Sequence, residues 1–157
     1  MRLTVYTDYS LRLLMYAALK PDGLINIDEV AVAYDISRNH LTKVVHQLGL
    51  AGYLTTVRGK GGGLRLARSP ESIRIGDVVR RTEPDMALTP CLQQIATPCA
   101  IVPACLLKGA LEEARAAFMR VLDDYTLADL TAAPAPSLRT LLGMAAPAGP
   151  AMRLRPA

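Results

Sequence analysis

The sequence predicts a mainly α-helical protein with one small β-hairpin: a winged helix–turn–helix followed by a long helix. Three observations support this prediction. Two helical patterns flank a short break at residues 34–36, and two short strand patterns flank a glycine-rich segment at residues 58–63. Apolar residues then recur at helical spacing from residue 105 to residue 125. The resulting order of helices, turn, helix and hairpin is that of a winged helix–turn–helix.

Length and composition indicate one globular domain with an attached element. The chain has 157 residues, of which 51% are hydrophobic and 20% charged, so a core is available. No apolar run approaches the roughly 20 residues needed to span a bilayer. The first ten residues lack the pattern of a signal peptide. We therefore expect a cytoplasmic protein with no membrane partner, in a compartment that keeps thiols reduced.

The first three helices have recognisable start signals. An apolar stripe predicts a helix over residues 8–20, and Asn26 with Glu29 matches a capping box at the start of a second helix. Asp35 lies in the break that follows and tolerates a left-handed backbone. Ser37 is the predicted N-cap of the third helix.

The third helix has an apolar inner face and a polar outer face without a carboxylate. Such a helix can enter a major groove, which is about 12 Å wide, and offer side chains to base edges. The amides at its N-terminus can also meet a phosphate. The predicted DNA contacts on this helix are Ser37, Arg38, Asn39, His40 and Lys43.

The hairpin has the features of a wing. Strands predicted over residues 53–57 and 64–67 flank the sequence Arg-Gly-Lys-Gly-Gly-Gly. Glycines at the tip allow close approach to the sugar–phosphate backbone, while Arg58, Lys60 and Arg65 supply positive charge. A plain flexible hairpin is the alternative. A nucleotide-binding loop is disfavoured, because the GxxxxGK[ST] pattern is absent.

Charge is distributed unevenly along the chain. Residues 36–68 contain six basic and no acidic residues, whereas residues 69–130 carry a net charge of −3. A compact basic block next to an acidic half is typical of a nucleic-acid-binding module joined to another element. A solvated basic face explains the charge pattern equally well.

The only cysteines, Cys91, Cys99 and Cys105, fall within fifteen residues. Interleaved prolines block a continuous helix, so we expect an ordered loop that can turn three thiols toward one point. Three thiolates favour a soft metal or an iron–sulfur cluster. Alternatives are structural thiols, a thiol redox sensor and an iron–sulfur electron-transfer protein. A redox sensor is disfavoured, because the loop has no basic residue before Lys108.

We therefore divide the chain into a DNA-binding domain over residues 1–83, a cysteine loop over 84–104, a long helix with a final turn over 105–130, and an Ala/Pro-rich tail over 131–157. The composition of the tail predicts that it is mostly disordered, with room for one helical turn over residues 138–142. The apolar stripe of the long helix needs a partner. Packing on its own domain is one option, and we prefer a helix shared with a second copy, because operator-binding proteins are usually two-fold dimers. An enzyme is poorly supported, since no nucleophile–base pair can be assembled.

Several motifs in residues 1–130 resemble the iron–sulfur winged-helix repressors. They are the starting segment with Tyr-Thr-Asp-Tyr-Ser-Leu-Arg, the helix from Ser37 to Lys43, the wing from Val57 to Leu66, the segment Ile-Gly-Asp-Val-Val at 75–79, the three cysteines, and the segment Tyr-Thr-Leu-Ala-Asp-Leu at 125–130. Within these repressors, the resemblance is greatest to the branch that senses nitric oxide.

The resemblance implies a homodimer with one iron–sulfur cluster per subunit, for which we prefer [4Fe–4S] over the alternative [2Fe–2S]. The ligands would be Cys91, Cys99 and Cys105, together with Asp8 from the first helix of the other subunit. A first-turn carboxylate also suits the helix dipole, so Asp8 has a purely structural alternative. Other carboxylates that could serve as the fourth ligand are Glu83, Asp85 and Glu112.

These features predict a transcriptional repressor that binds a double-stranded DNA operator and releases it when nitric oxide attacks the cluster. One feature favours a different signal. The C-x7-C-x5-C spacing resembles the iron-responsive branch of the same repressors, whereas the helix that contains His40 favours the nitric-oxide branch.

Overall fold

The structure is a computed structural model, and it describes residues 2–20, 23–93, 95 and 99–144. Most of its secondary structure is α-helical. The helices are α1 (Val5–Ala18), α2 (Ile27–Tyr34), α3 (Arg38–Leu50), α4 (Ile75–Thr82), α5 (Leu106–Asp123), α6 (Leu127–Thr131) and α7 (Ala135–Leu141). The strands β1 (Leu54–Val57) and β2 (Gly63–Leu66) form an antiparallel hairpin in which Leu54 pairs with Leu66. The predicted fold class is therefore confirmed. In the described part of the chain, none of the helices has the length and apolar character that crossing a membrane requires.

Helix α1 lies at the centre of the fold and packs against α3, α4, α6 and β2. Its Leu13 and Leu14 are fully buried, and they join an aliphatic core that includes Leu41 and Leu48 of α3. Burying these side chains removes apolar surface from water, which is the main favourable term in folding. The apolar stripe of α3 is buried in this contact, so the polar residues of α3 face outward.

Local signals set the ends of most elements. Thr4, rather than a residue near position 8, caps α1, since the Thr7 amide donates to Thr4 Oγ1 at 3.2 Å. The capping box of Asn26 and Glu29 is present as predicted. Ser37 occupies the N-cap position of α3, but its side chain makes no capping hydrogen bond, so that part of the prediction is wrong.

The sequence predicts a mostly disordered tail from residue 131, with at most a helical turn over residues 138–142, whereas the structure is ordered over residues 131–144. Helix α7 forms there, because Leu142 and Met144 pack against the core and Gly143 stops the helix in a left-handed conformation with φ of 64°. Glycine adopts this conformation at little cost. Residues 145–157 of the predicted tail lie outside the described residues.

Candidate nucleic-acid interface and cysteine segment

The polar face of α3 is fully presented to solvent. Its N-terminal turn follows a tight turn at Asp35, whose φ of 52° is left-handed, and the Ile36 amide donates to the Ala31 carbonyl at 3.0 Å. This turn sets α3 apart from α2 and leaves the first turn of α3 protruding. The predicted contact residues of this helix are all exposed: Ser37, Arg38, Asn39, His40 and Lys43.

Arg38 has a partner that the sequence analysis did not identify. Its Nε lies 3.0 Å from Oδ1 of Asp28 on α2, and both side chains are about two-thirds exposed. Exposed ion pairs of this kind contribute about 0–1 kcal/mol. Arg38 can therefore exchange Asp28 for a phosphate or a base edge at little cost.

The wing is held by close backbone contacts at its base. The Ile25 amide donates to the Leu64 carbonyl at 2.9 Å, and the Leu64 amide donates to the Ile25 carbonyl at 2.7 Å. A Cβ on Gly63 would lie 2.6 Å from the Ile25 carbonyl oxygen, so glycine is required there. At the tip, Gly59 and Gly61 have φ values of 103° and 79°.

The basic side chains of the wing point into solvent. Arg58 and Lys60 lie at the exposed tip, and Arg65, also exposed, pairs with Thr55 across the hairpin. The exposed residues of α3 and the wing are hereafter called the basic surface, defined by Ser37, Arg38, Asn39, His40, Lys43, Arg58, Lys60 and Arg65. All of the predicted DNA-contacting residues are thus exposed, and their role in DNA binding stays a prediction.

Arg68 belongs to the same basic block but has a structural role. Its guanidinium donates to the carbonyls of Gly52 at 2.9 Å and Ala51 at 3.0 Å, at the end of α3, and stacks over Tyr53 at 4.9 Å. A cation at this end complements the helix dipole. Burial raises the pKa of the Tyr53 hydroxyl above its ordinary value, with the Arg68 charge acting in the opposite direction.

The three thiols lie between α4 and α5: Cys91 and Cys99 fall within the cysteine loop, and Cys105 directly follows it. Cys91 is half-buried in a 3₁₀ turn over Pro90–Leu92, with its sulfur 3.2 Å from Thr89 Oγ1. Cys99 is exposed, and Cys105 occupies the N-cap position of α5. Among the residues that the structure describes, no three His, Cys, Asp or Glu side chains converge at metal-binding distance. The donor set suits iron and sulfide chemically, whereas the single chain does not hold it pre-assembled.

The candidate oxygen ligands have partners of their own. Asp8 is about half exposed in the first turn of α1 and forms an ion pair with Arg12 at 3.0 Å. Glu83 accepts hydrogen bonds from the Thr4 amide at 2.7 Å and the Thr4 hydroxyl at 3.1 Å.

The other two candidate ligands also have contacts. The Asp85 carboxylate accepts a hydrogen bond from the Ala87 amide, and the Glu112 carboxylate lies 3.9 Å from the Lys108 ammonium. Only Asp8 and Glu112 are thus held solely by a neighbouring side chain of opposite charge.

Side-chain contacts link α1 to the end of α4 and to α3. Thr7 donates to Thr82 at 2.8 Å, and the Thr4–Glu83 contact joins the start of α1 to the C-cap of α4, one residue before the cysteine loop. On the neighbouring face, the Tyr9 ring lies 6.0 Å from the ring of His40 on α3. No local sequence pattern predicts these contacts, because their partners are far apart along the chain.

Helix α5 has one face on its own domain and another facing solvent. Met119 is buried and Phe118 is partly buried against the core, which matches the alternative of self-packing. The Arg80 guanidinium of α4 donates two hydrogen bonds, of 2.7 and 2.5 Å, to the Asp123 carboxylate, and these bonds join α5 to α4. Other large apolar side chains of α5 stay exposed, namely Leu106, Leu107 and Val121, as does Tyr125 just beyond its C-cap.

Known proteins resemble this chain over most of its length. The family model described as "Rrf2: Iron-dependent Transcriptional regulator" matches residues 3–133. Two curated proteins, each called HTH-type transcriptional regulator NsrR, are 52% identical over 131 residues. The one from Halalkalibacterium halodurans and the one from Bacillus subtilis each align over 83% of this chain and 90% of their own length. The structure of CymR, the global cysteine regulator of B. subtilis, superposes with a TM-score of 0.68 at 24% identity, over 84% of this chain and 97% of that one.

Proposed function

Because the chain belongs to the Rrf2 family of transcriptional regulators, we propose that it is a DNA-binding repressor whose operator affinity is controlled by a nitric-oxide-sensitive iron–sulfur cluster. One observation carries the proposal most directly. Helix α1 contacts the exposed basic surface through His40 and Tyr9, and through Thr4 it contacts Glu83, the residue directly before the cysteine loop. A change at the loop therefore has a packed route to the DNA-binding helix.

The proposed cluster ligands are Cys91, Cys99, Cys105 and, from a second copy, Asp8. When bound, a [4Fe–4S] or [2Fe–2S] cluster supplies iron sites that nitric oxide can attack. The thiolates provide the soft ligands, and the carboxylate provides a harder and more exchangeable one. Asp8 is suited to this role because its present partner, Arg12, lies with it on an accessible surface, where an ion pair is weak.

The basic surface divides into two kinds of DNA contact. We assign Arg38, Asn39 and His40 to base edges in the major groove, because they stand on the first turn of α3. Ser37 and Lys43 would meet phosphates beside the groove. On the wing, Arg58, Lys60 and Arg65 would follow the sugar–phosphate backbone, to which flexible glycines allow close approach.

A homodimer completes both the cluster site and the operator contact. Three large apolar side chains on α5, Leu106, Leu107 and Val121, lie exposed in the single chain, and Leu106 is 90% exposed. Exposed apolar side chains grouped on one element are typical of an interaction surface. Two copies joined through α5 would place two α3 helices at half-sites about one DNA turn apart. The protein would work in the cytoplasm, where its thiols stay reduced.

A second candidate signal is iron supply rather than nitric oxide. The description of the matched family as iron-dependent favours it, as does the C-x7-C-x5-C spacing. The two candidates share the DNA contacts and the ligand set. They differ in outcome, because iron chelation alone would release DNA in an iron-responsive protein and nitric oxide would have little effect.

The ligand set can be tested by substitution and analysis. We expect anaerobically purified Cys91→Ala, Cys99→Ala and Cys105→Ala each to lack stable iron and sulfide, whereas Asp8→Ala should retain a cluster with an altered spectrum. Native mass spectrometry would report dimer, iron and sulfide together. A variant that retains the full iron and sulfide content would remove its residue from the ligand set. A cluster-free wild-type protein with unchanged DNA affinity would overturn the proposed control.

A further inference from the structure

Beyond residue 133, where the family match ends, the chain forms a helix that closes onto the domain. Helix α7 ends in a Schellman motif: the Gly143 amide donates to the Thr140 carbonyl at 3.2 Å, and the Met144 amide donates to the Arg139 carbonyl at 2.9 Å. Leu142 and Met144 pack against the core of the domain. Both the helix and its stop signal are therefore well defined.

Arg139 connects α7 to the end of α1. Its Nε and Nη2 donate to the Leu19 carbonyl oxygen at 3.0 and 2.6 Å. Leu19 is the C-cap of α1, is 2% exposed, and follows a last turn that has no basic residue. Among the described residues no other donor reaches this carbonyl. A guanidinium here donates to a helix-terminal carbonyl and complements the dipole of α1.

Side chains from distant parts of the chain thus hold α1 at both ends. Glu83 holds the first turn through Thr4, and Arg139 holds the last. Between these two points α1 carries Asp8 and packs against α3, and its Arg12 lies 5.7 Å from the ring of Tyr34 on α2. A shift of α1 along its axis would therefore move both the proposed fourth ligand and the support of the recognition helix.

We propose that Arg139 is a positioning residue: by restraining the end of α1 it fixes the recognition helix α3, so that operator affinity depends on the docking of α7. The restraint of α1 is independent of any ligand. Its consequence for DNA rests on the proposed function.

The restraint is tested by hydrogen exchange on the full-length, metal-free protein. We expect Arg139→Met, which keeps an apolar stem but removes the guanidinium, to raise exchange about tenfold at the last-turn amides of α1 and measurably at the first turn of α3. Arg139→Lys should restore part of the protection. Ser137→Ala, at an exposed position of the same helix, is the matched control and should change neither segment. Unchanged exchange at α1 in Arg139→Met would overturn the proposal.

The consequence for DNA is tested with the cluster-loaded protein, well below its unfolding temperature. The probe is a duplex selected by the wild-type protein from a random-sequence pool. Arg139→Met should weaken binding about tenfold without changing the salt dependence, because no phosphate contact is lost. Faster hydrogen exchange in α1 with unchanged affinity for the duplex would reduce Arg139 to a structural role and overturn the proposal. A flatter salt dependence would also overturn it, because it would indicate that Arg139 contacts DNA directly. If the wild type selects no duplex, the proposed function fails, whereas the exchange result still decides whether Arg139 restrains α1.

Discussion

Replacing Lys60 with alanine should weaken DNA binding, and the loss of affinity should become smaller as the salt concentration rises. Lys60 stands at the exposed wing tip between Gly59 and Gly61, whose φ values of 103° and 79° shape the turn. In the proposed dimer each copy contributes four cations toward phosphates: Lys43, Arg58, Lys60 and Arg65. That gives eight phosphate contacts, of which Lys60→Ala removes two.

The expected magnitude follows from counterion release. Each neutralised phosphate contributes about −0.9 to the slope of log K against log salt, so eight contacts give a slope of roughly −7. Losing two changes the slope by about 1.8. Binding should then fall about 60-fold at 0.1 M salt and about 20-fold at 0.2 M, with the difference vanishing near 1 M.

Fluorescence anisotropy over a salt series measures this slope with both a selected duplex and a random one. Lys60→Ala should weaken binding to the two duplexes by the same factor. Lys108→Ala is the matched control, since it removes the same charge from α5, away from the basic surface. An unchanged slope, or a loss confined to the selected duplex, would refute the assignment of Lys60 to a phosphate.

Three further outcomes are expected. Arg38→Ala and Asn39→Ala should relax sequence preference in a selection experiment, and retained preference in both would show that the first turn of α3 does not contact bases. Gly63→Ala should lower the free energy of unfolding by about 1–3 kcal/mol, because its Cβ would meet the Ile25 carbonyl oxygen at 2.6 Å; an unchanged urea midpoint would contradict that close approach. Hydrogen bonds from the Thr126 hydroxyl and amide lower the pKa of the Asp129 carboxyl below its ordinary 3.8. Their contribution to stability is therefore present above that pH and lost as the pH falls through the folded pKa. Thr126→Ala should raise the pKa of Asp129 in a carboxyl NMR titration, and the same pKa in the variant would exclude the hydroxyl as a cause.

Structural features with a local physical cause could be predicted from the sequence. The capping box of Asn26 and Glu29 spans four residues, and the left-handed turn at Asp35 depends on one residue's tolerance. Likewise, the wing follows from a strand–glycine–strand pattern. The family resemblance is confirmed, since the chain belongs to the Rrf2 family of transcriptional regulators and is about half identical to proteins called NsrR. These regulators are not enzymes, as expected.

Contacts between distant residues could not be predicted in the same way. Arg139 and Leu19 are 120 positions apart, and Thr4 and Glu83 are 79 apart. No local pattern marks such a pair, because either residue alone is compatible with an exposed surface. The composition of the tail was also misleading: alanine and proline favour disorder on average, but a few apolar side chains and Gly143 are enough to dock a short helix. The roles of Asp8, the cysteines and the basic surface stay predictions.

We propose that the state of the cluster controls the affinity for operator DNA, and one titration tests this most directly. Anaerobically purified protein bound to its selected duplex is titrated with nitric oxide while cluster absorbance and fluorescence anisotropy are recorded on the same sample. We predict that both signals fall together, and that DNA is released over the range in which the absorbance is lost. DNA that stays fully bound after the absorbance has disappeared would contradict the claim.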